Sequence, residues 1–242
     1  MASTYLTRTN GTSTNVYKGT VSHWVKRSGL GAMGTFAAWN NGVSDTNRGY
    51  LNFNNDDIYF YDQANSMILE TNRKFRDTSA WYHIVLAWDT SQSTASDRVK
   101  IYVNGVQETS FSTENYPSQN STLVFNTSGR TFGLGSYANS GSAAGFFDGS
   151  MSHFHFTDGY TYAASAFGST DSVTGEWQIN TSPSVTYGNN GFFILKDGNS
   201  VTDQSGNSNN FTVGGGTLTK TEDCPSNVFA TLNAITPNSN NN

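Results

Sequence analysis

The sequence predicts an all-β protein, a two-sheet antiparallel sandwich with no substantial helix. Short runs in which apolar and polar residues alternate recur along the chain between clusters of Asn, Asp, Gly and Ser, the pattern of half-buried strands joined by tight turns. No segment carries an apolar stripe of helical spacing long enough for a core helix. Aromatic residues make up 14% of the 242 positions and charged residues 13%, so rings that favour pleated surfaces supply the core. One sandwich commonly takes roughly 200–250 residues, so the length calls for a single domain.

The strands are predicted in order. Tyr5–Thr9 comes first, then residues 19–27, where Val21, His23 and Val25 face one way and Ser22, Trp24 and Lys26 the other, as a two-residue period requires. Met33–Trp39, residues 49–53 and residues 57–61 follow, the last two joined by a turn through Asn54, Asn55, Asp56 and Asp57. The strongest signal is the apolar run of residues 81–89, followed by Val99, Ile101 and Val103 alternating with Lys100 and Tyr102. Asn104-Gly105 then marks a hairpin, because a type I′ turn needs two residues that tolerate positive φ. Its return strand is expected over 106–111. Later strands are expected over 122–126, 130–137, 146–157 and 191–196, with a single helical turn at 163–167. The sandwich spans residues 1–213; the Gly- and Asn-rich residues 214–242 read as an arm or linker.

The net charge of −5 comes from few ionised groups and no basic stripe is present, so no nucleic-acid partner is expected. Cys224 is the only cysteine, which leaves no intrachain disulfide and no zinc site built on cysteines. The first ten residues lack the basic-then-apolar order of a secretory leader, and no apolar run approaches the ~20 residues of a membrane-spanning helix. The expectation is a protein without membrane insertion, assembled in the cytoplasm and released by lysis. A domain cut from a longer secreted protein is the alternative.

Residues 81–85 leading into 99–105, with residues 22–27 and 147–154 in matching order, resemble the laminin G, pentraxin and concanavalin A-like lectin/glucanase superfamily, over roughly residues 5 to 213. The resemblance implies a jelly-roll sandwich of about six or seven strands per sheet. More narrowly, residues 75–81, 155–159, 166–168, 187–192 and 224–233 resemble lectin-like proteins of marine and other tailed phages. That likeness implies a non-enzymatic virion surface or fibre protein recognising host-surface glycan. Its partners would be other virion proteins and a homo-oligomer, preferably a trimer. A purely structural decoration module and a glycan-degrading enzyme of the same fold are the alternatives.

Glycoside hydrolysis needs two carboxylates about 5–9 Å apart, and no strand carries acids at alternate positions as the hydrolases of this fold do. His153 and His155 have the spacing of a two-histidine metal pair but lack an evident third ligand; packed histidines are the preferred reading. Sugar binding calls for exposed rings beside planar hydrogen-bonding groups, which nominates Trp39 with Asn40, Tyr116, Tyr137 with Asn139, and Asp158 with Tyr160 and Tyr162. Asp203, Asn207 and Asn209 form an oxygen-rich loop that would suit Ca²⁺, although Asx-turn chemistry explains the same residues and is preferred.

Overall fold

The computed structural model describes residues 3–40, 47–196 and 200–226. Its strands, in chain order, are β1 (Tyr5–Thr9), β2 (Lys18–Arg27), β3 (Met33–Trp39), β4 (Gly49–Asn54), β5 (Asp57–Asp62), β6 (Met67–Thr71), β7 (Tyr82–Asp89), β8 (Val99–Val103), β9 (Val106–Gln107), β10 (Phe111–Asn115), β11 (Thr131–Leu134), β12 (Tyr137–Asn139), β13 (Ser142–Ala144), β14 (Gly149–Asp158), β15 (Gly168–Thr170), β16 (Trp177–Ile179), β17 (Phe192–Ile194) and β18 (Thr212–Gly215). One sheet has eight strands in the order β10-β6-β5-β4-β3-β11-β1-β18, the other six in the order β17-β14-β2-β7-β8-β9. The arrangement is a jelly-roll sandwich, with unequal sheets where about six or seven strands each were expected.

Between the sheets lies an aromatic core. Phe36 packs on Phe125, Phe132, Phe154 and Phe156, and Trp88 closes on Phe125 and Phe156. These rings are fully buried, each worth roughly 2–3 kcal/mol of transfer free energy. Strand alternation delivers them: in β5, Ile58 and Phe60 point into the core while Tyr59 and Tyr61 stay half-buried on the outer side.

Both expected hairpin turns form. Asn55 and Asp56 have φ of 49° and 69°, Asn104 and Gly105 of 48° and 80°, the two positive values that a two-residue turn matching the strand twist demands. Asp56 also accepts the Gly31 N–H and bonds from Arg27 and Arg76, which hold its carboxyl down at about 2. The buried Arg27 guanidinium lies 4.4 Å from the Phe53 ring centroid and donates to the Phe75 and Gly31 carbonyls as well, so its charge is compensated inside the fold.

Three expectations are corrected. The return strand after Gly105 is only Val106–Gln107; the chain then crosses over and β10 pairs with β6 in the other sheet. Residues 122–126 are no strand: Val124–Asn126 form a buried 3₁₀ turn whose Val124 N–H donates to Asp62. The boundary at 213 also moves. Thr212–Gly215 is an edge strand on β1, Leu218 packs against the core, and Asp223 accepts bonds from Lys26 Nζ (2.7 Å) and Trp81 Nε1 (2.9 Å). The rest of the expected arm, residues 227–242, lies outside the described residues. Ending the chain after residue 211 should therefore lower the melting temperature by about 5–10 °C relative to a chain ending after 226, for a loss on the order of 2–4 kcal/mol. Equal melting temperatures in calorimetry would restore the arm.

Each sheet carries a cover on its outer face. Over the six-stranded sheet, β15, β16 and their flanking loops set Ala164, Phe167 and Trp177 against Val85 and Tyr102. Over the eight-stranded sheet the β12–β13 hairpin lies on β3, burying Trp39, Ala37 and Ala138. Gly34 permits this approach, since a Cβ there would overlap the Tyr137 backbone nitrogen.

Candidate functional site

The β12–β13 hairpin divides the outer face of the eight-stranded sheet. On one side is a polar groove of about 380 Å³ lined by Thr7, Thr9, Thr131, Thr212 and the edge of Trp39. On the other side the outward positions of β4 and β5 build an aromatic platform. The Tyr50 ring centroid lies 5.2 Å from Tyr61, 5.6 Å from Tyr137 and 6.1 Å from Tyr59. All four tyrosines are half-buried, so each ring is fixed by its neighbours while part of it faces solvent.

Polar groups frame the platform. Arg48 sits over Tyr50 at 5.7 Å and donates to the Ala138 carbonyl (3.0 Å) and Asn139 Oδ1 (3.2 Å). At the other end Glu70 accepts from Asn54 Nδ2 and Thr113 Oγ1, and Asp57 pairs with Lys74. Burial and the neighbouring Tyr50, Tyr61 and Glu70 push the Tyr59 phenol up to about 12, so it keeps its proton. Asn52, paired in register with Gly34 and Tyr59, lies beneath them at 8% exposure. Its Oδ1 is closed to solvent and has no hydrogen-bond partner among the described residues, which costs about 1–3 kcal/mol for a buried acceptor.

The sequence candidates scatter. Tyr137 and Asn139 join the platform, and Asn40 is exposed beyond β3. Trp39 is corrected: nominated as an exposed ring, it is 2% exposed and packs against Gly133 beneath the hairpin. Asp158 is corrected too, being fully buried with its carboxylate used by the N–H groups of Thr14 and Asn190 and the side-chain amides of Asn126 and Asn190. Tyr116 is half-buried and donates to Glu114. Tyr162 belongs to the cover on the opposite sheet, where its hydroxyl accepts the Thr186 N–H, whereas Tyr160 is exposed. Tyr50, Tyr59, Tyr61 and Asn52 went unread, though their two-residue spacing was visible.

The oxygen-rich loop is bound up in its own turn. Asp203 accepts from the Phe193, Ser205 and Asn209 N–H groups and from Ser205 Oγ, while the Asn207 and Asn209 amides donate to backbone carbonyls of residues 188–191. Asx-turn geometry explains this loop without a cation. Nor do His153 and His155 keep the alternate spacing of a metal pair. β14 shifts register between Ser152 and His155, His153 adopts φ of 46°, and their Nδ1 atoms meet Ser152 Oγ and Tyr187 Oη. Among the described residues no group of three His, Cys, Asp or Glu side chains is placed to hold a metal.

Residues 1–165 match the family described as the concanavalin A-like lectin/glucanases superfamily. The chain belongs to that superfamily. Among solved structures it is similar to a putative carbohydrate binding protein from Bacteroides ovatus, with TM-score 0.58 and 14% identity over 91% of this chain and 58% of that one. It also resembles the heptameric SAP-like pentraxin from Limulus polyphemus (TM-score 0.48, 16% identity, 65% of this chain and 70% of that one). A third is the Ruminococcus gnavus IT-sialidase CBM40 bound to α2,3 sialyllactose (TM-score 0.41, 16% identity, 57% and 75%). At these identities the likeness concerns the fold, and this chain spans little more than half of the Bacteroides protein. No curated protein matches it.

Proposed function

We propose that the chain is a non-enzymatic glycan-binding module whose site is the tyrosine platform, displayed on the surface of a tailed-phage particle to contact host-cell glycan. The observation that carries the binding reading is the platform itself: four fixed, half-buried rings flanked by amides and one guanidinium. Rings held this way stack on the apolar face of a pyranose at little entropic cost, while amides and charged groups read its hydroxyls. The superfamily and its carbohydrate-binding neighbour support the same reading. The two acids nearest the platform are engaged, Asp57 with Lys74 and Glu70 with Asn54 and Thr113, which favours binding over hydrolysis. The phage setting, and attachment to other virion proteins as an oligomer, rest on the sequence resemblance to phage lectin-like proteins.

On a glycan array, the full chain should bind a defined subset, and Tyr50→Ala should lower that binding at least about tenfold, near 1.4 kcal/mol. Tyr59→Ala should do the same. Array signal indifferent to both variants would remove the platform from consideration, and release of reducing sugar from any bound glycan would overturn the non-enzymatic reading. Detection in purified particles by mass spectrometry tests the virion setting.

A further inference from the structure

We infer that the chain carries a second sugar pocket, on the outer face of the six-stranded sheet, that takes a compact neutral sugar of one or two rings over Ala87. It stands whether or not the tyrosine platform on the opposite sheet binds glycan. The pocket opens beside the cover and measures about 430 Å³, within the roughly 300–1,000 Å³ of small-molecule sites. Strand register sets its floor. Ala87 on β7 stands between Thr20 of β2 and Lys100 of β8, and its lone methyl leaves a depression among longer side chains. Tyr102 and Tyr162 bring two rings to the lining, and Asp89, Gln92, Asp97 and Lys100 its polar groups. Both flanks are tied down. Asp89 accepts from the Ser91 N–H and Oγ and from Gln92 Nε2, while Arg98 donates to the Gln92, Ser93 and Pro117 carbonyls. On the cover side Thr161 Oγ1 donates to the Trp88 carbonyl and the Tyr162 N–H to Thr20 Oγ1. A cleft held in this way exists before any ligand arrives, so binding costs little ordering entropy.

Charge balance selects the ligand. Asp89 pairs with Lys18 at 3.1 Å and Asp97 with Lys100 at 2.9 Å, so each carboxylate of the pocket already has its cation. An acidic sugar would meet both carboxylates, and an amino sugar both ammonium groups. A neutral sugar meets what the pairs leave over: further N–H donors on Lys100, the second oxygen of Asp97 and Gln92 Oε1. These groups are within reach, since Asp97 and Gln92 are exposed and Lys100 is half-buried. The hydroxyl of the half-buried Tyr102 also has no partner among the described residues. Hydroxyls that both donate and accept satisfy this set, charged partners make such bonds stronger, and the two rings receive the apolar face of the sugar.

Saturation-transfer NMR and calorimetry on the full chain test this, with glucose, galactose, mannose, rhamnose, N-acetylglucosamine and lactose as neutral probes and galacturonate and glucosamine as charged ones. At least one neutral sugar should bind about tenfold tighter than either charged sugar. That binding should survive the double variant Tyr50→Ala with Tyr59→Ala. It should fall about tenfold or more in Ala87→Leu, whose side chain fills the pocket, and about threefold in Asp97→Ala. Asp97 is exposed and pairs only with its neighbour Lys100, so this second variant carries the test if Ala87→Leu lowers the melting temperature. Binding lost in the platform double variant but untouched by Ala87→Leu and Asp97→Ala overturns the inference and leaves the platform in place. Tighter binding of galacturonate or glucosamine, or no binding of any probe, overturns it as well. Binding that ignores the platform variants and falls in both pocket variants supports it, and the array then decides the platform separately.

Discussion

Replacing Asp158 by alanine should destabilise the protein by about 4 kcal/mol, measured by urea denaturation followed through tryptophan fluorescence. The carboxylate closes one end of the sandwich, where β14 stops and distant segments converge. It accepts from Thr14 N (2.9 Å), Asn190 N (3.1 Å), Asn190 Nδ2 (3.2 Å) and Asn126 Nδ2 (3.3 Å), all at a fully buried residue. Alanine would leave these donors facing a cavity, and a buried unsatisfied donor costs about 1–3 kcal/mol. Some will find other acceptors, as Asn126 Nδ2 already reaches the Lys18 carbonyl, so the sum is discounted. Asn126 matters further because its Oδ1 accepts the Trp88 indole N–H at 2.7 Å, tying this network to the core. Asp158→Asn should lose about half as much, since an amide oxygen still accepts. A loss below about 1 kcal/mol for the alanine variant would mean that the network rearranges freely and that Asp158 is available for another role.

That residue also shows why the site was less legible than the fold. Asp158 stands before Gly159 and two tyrosines, and a sequence places it in a polar loop; its partners at 14, 126 and 190 are contacts no local pattern encodes. Strands fared better because the two-residue period is local. β1 and β3 match the expected residues to both ends, and Asn104-Gly105 turns where its φ preferences require. β6 was overlooked although Met67, Leu69 and Thr71 alternate inward, because five residues behind a polar turn make a weak signal. Leu123-Val124-Phe125 reads as strand, but Val124–Asn126 form a 3₁₀ turn, an ambiguity that short apolar runs carry. The tyrosine platform was hidden differently. Tyr59 and Tyr61 alternate with Ile58 and Phe60, and when both faces of a strand are apolar, periodicity cannot say which one meets solvent. β18 was unread because a Gly-rich edge strand has little propensity and exists by pairing with β1.

Acid should begin to destabilise this protein near pH 6.5, above the range in which carboxylates titrate, and should unfold it between about pH 5 and 3.5. His23 is fully buried against Phe154, at 4.7 Å between rings, with neither nitrogen hydrogen-bonded among the described residues; desolvation lowers its pKa from 6.5 to about 3. His83 is lowered to about 3 by burial and then by His23. Its Nδ1 takes the Trp177 indole N–H, which can only donate, so Nε2 carries the proton toward Ser22 Oγ. His155, stacked 3.9 Å from Phe193, is lowered well below 6.5 by burial, then by the charges of His153, His83 and Lys196. All three favour the neutral form when folded, whereas the unfolded chain takes up protons below about pH 6.5. Above that pH neither state binds them and they leave stability independent of pH. As pH falls from 6.5 toward 3 the unfolded state binds more protons, and stability drops by about 1.4 kcal/mol per pH unit for each histidine. Asp57 and Asp62, raised by burial, work in the opposite direction at the lower end of that window. Three histidines together remove about 4 kcal/mol per unit, enough to exhaust a typical 5–15 kcal/mol of stability between about pH 5 and 3.5. Replacing His23 with leucine, which needs no partner in that pocket, should cut the slope by one proton, near 1.4 kcal/mol per unit between pH 6 and 4. Urea midpoints across that range measure it, and an unchanged slope in the leucine variant would show that His23 is not the acid-sensitive group.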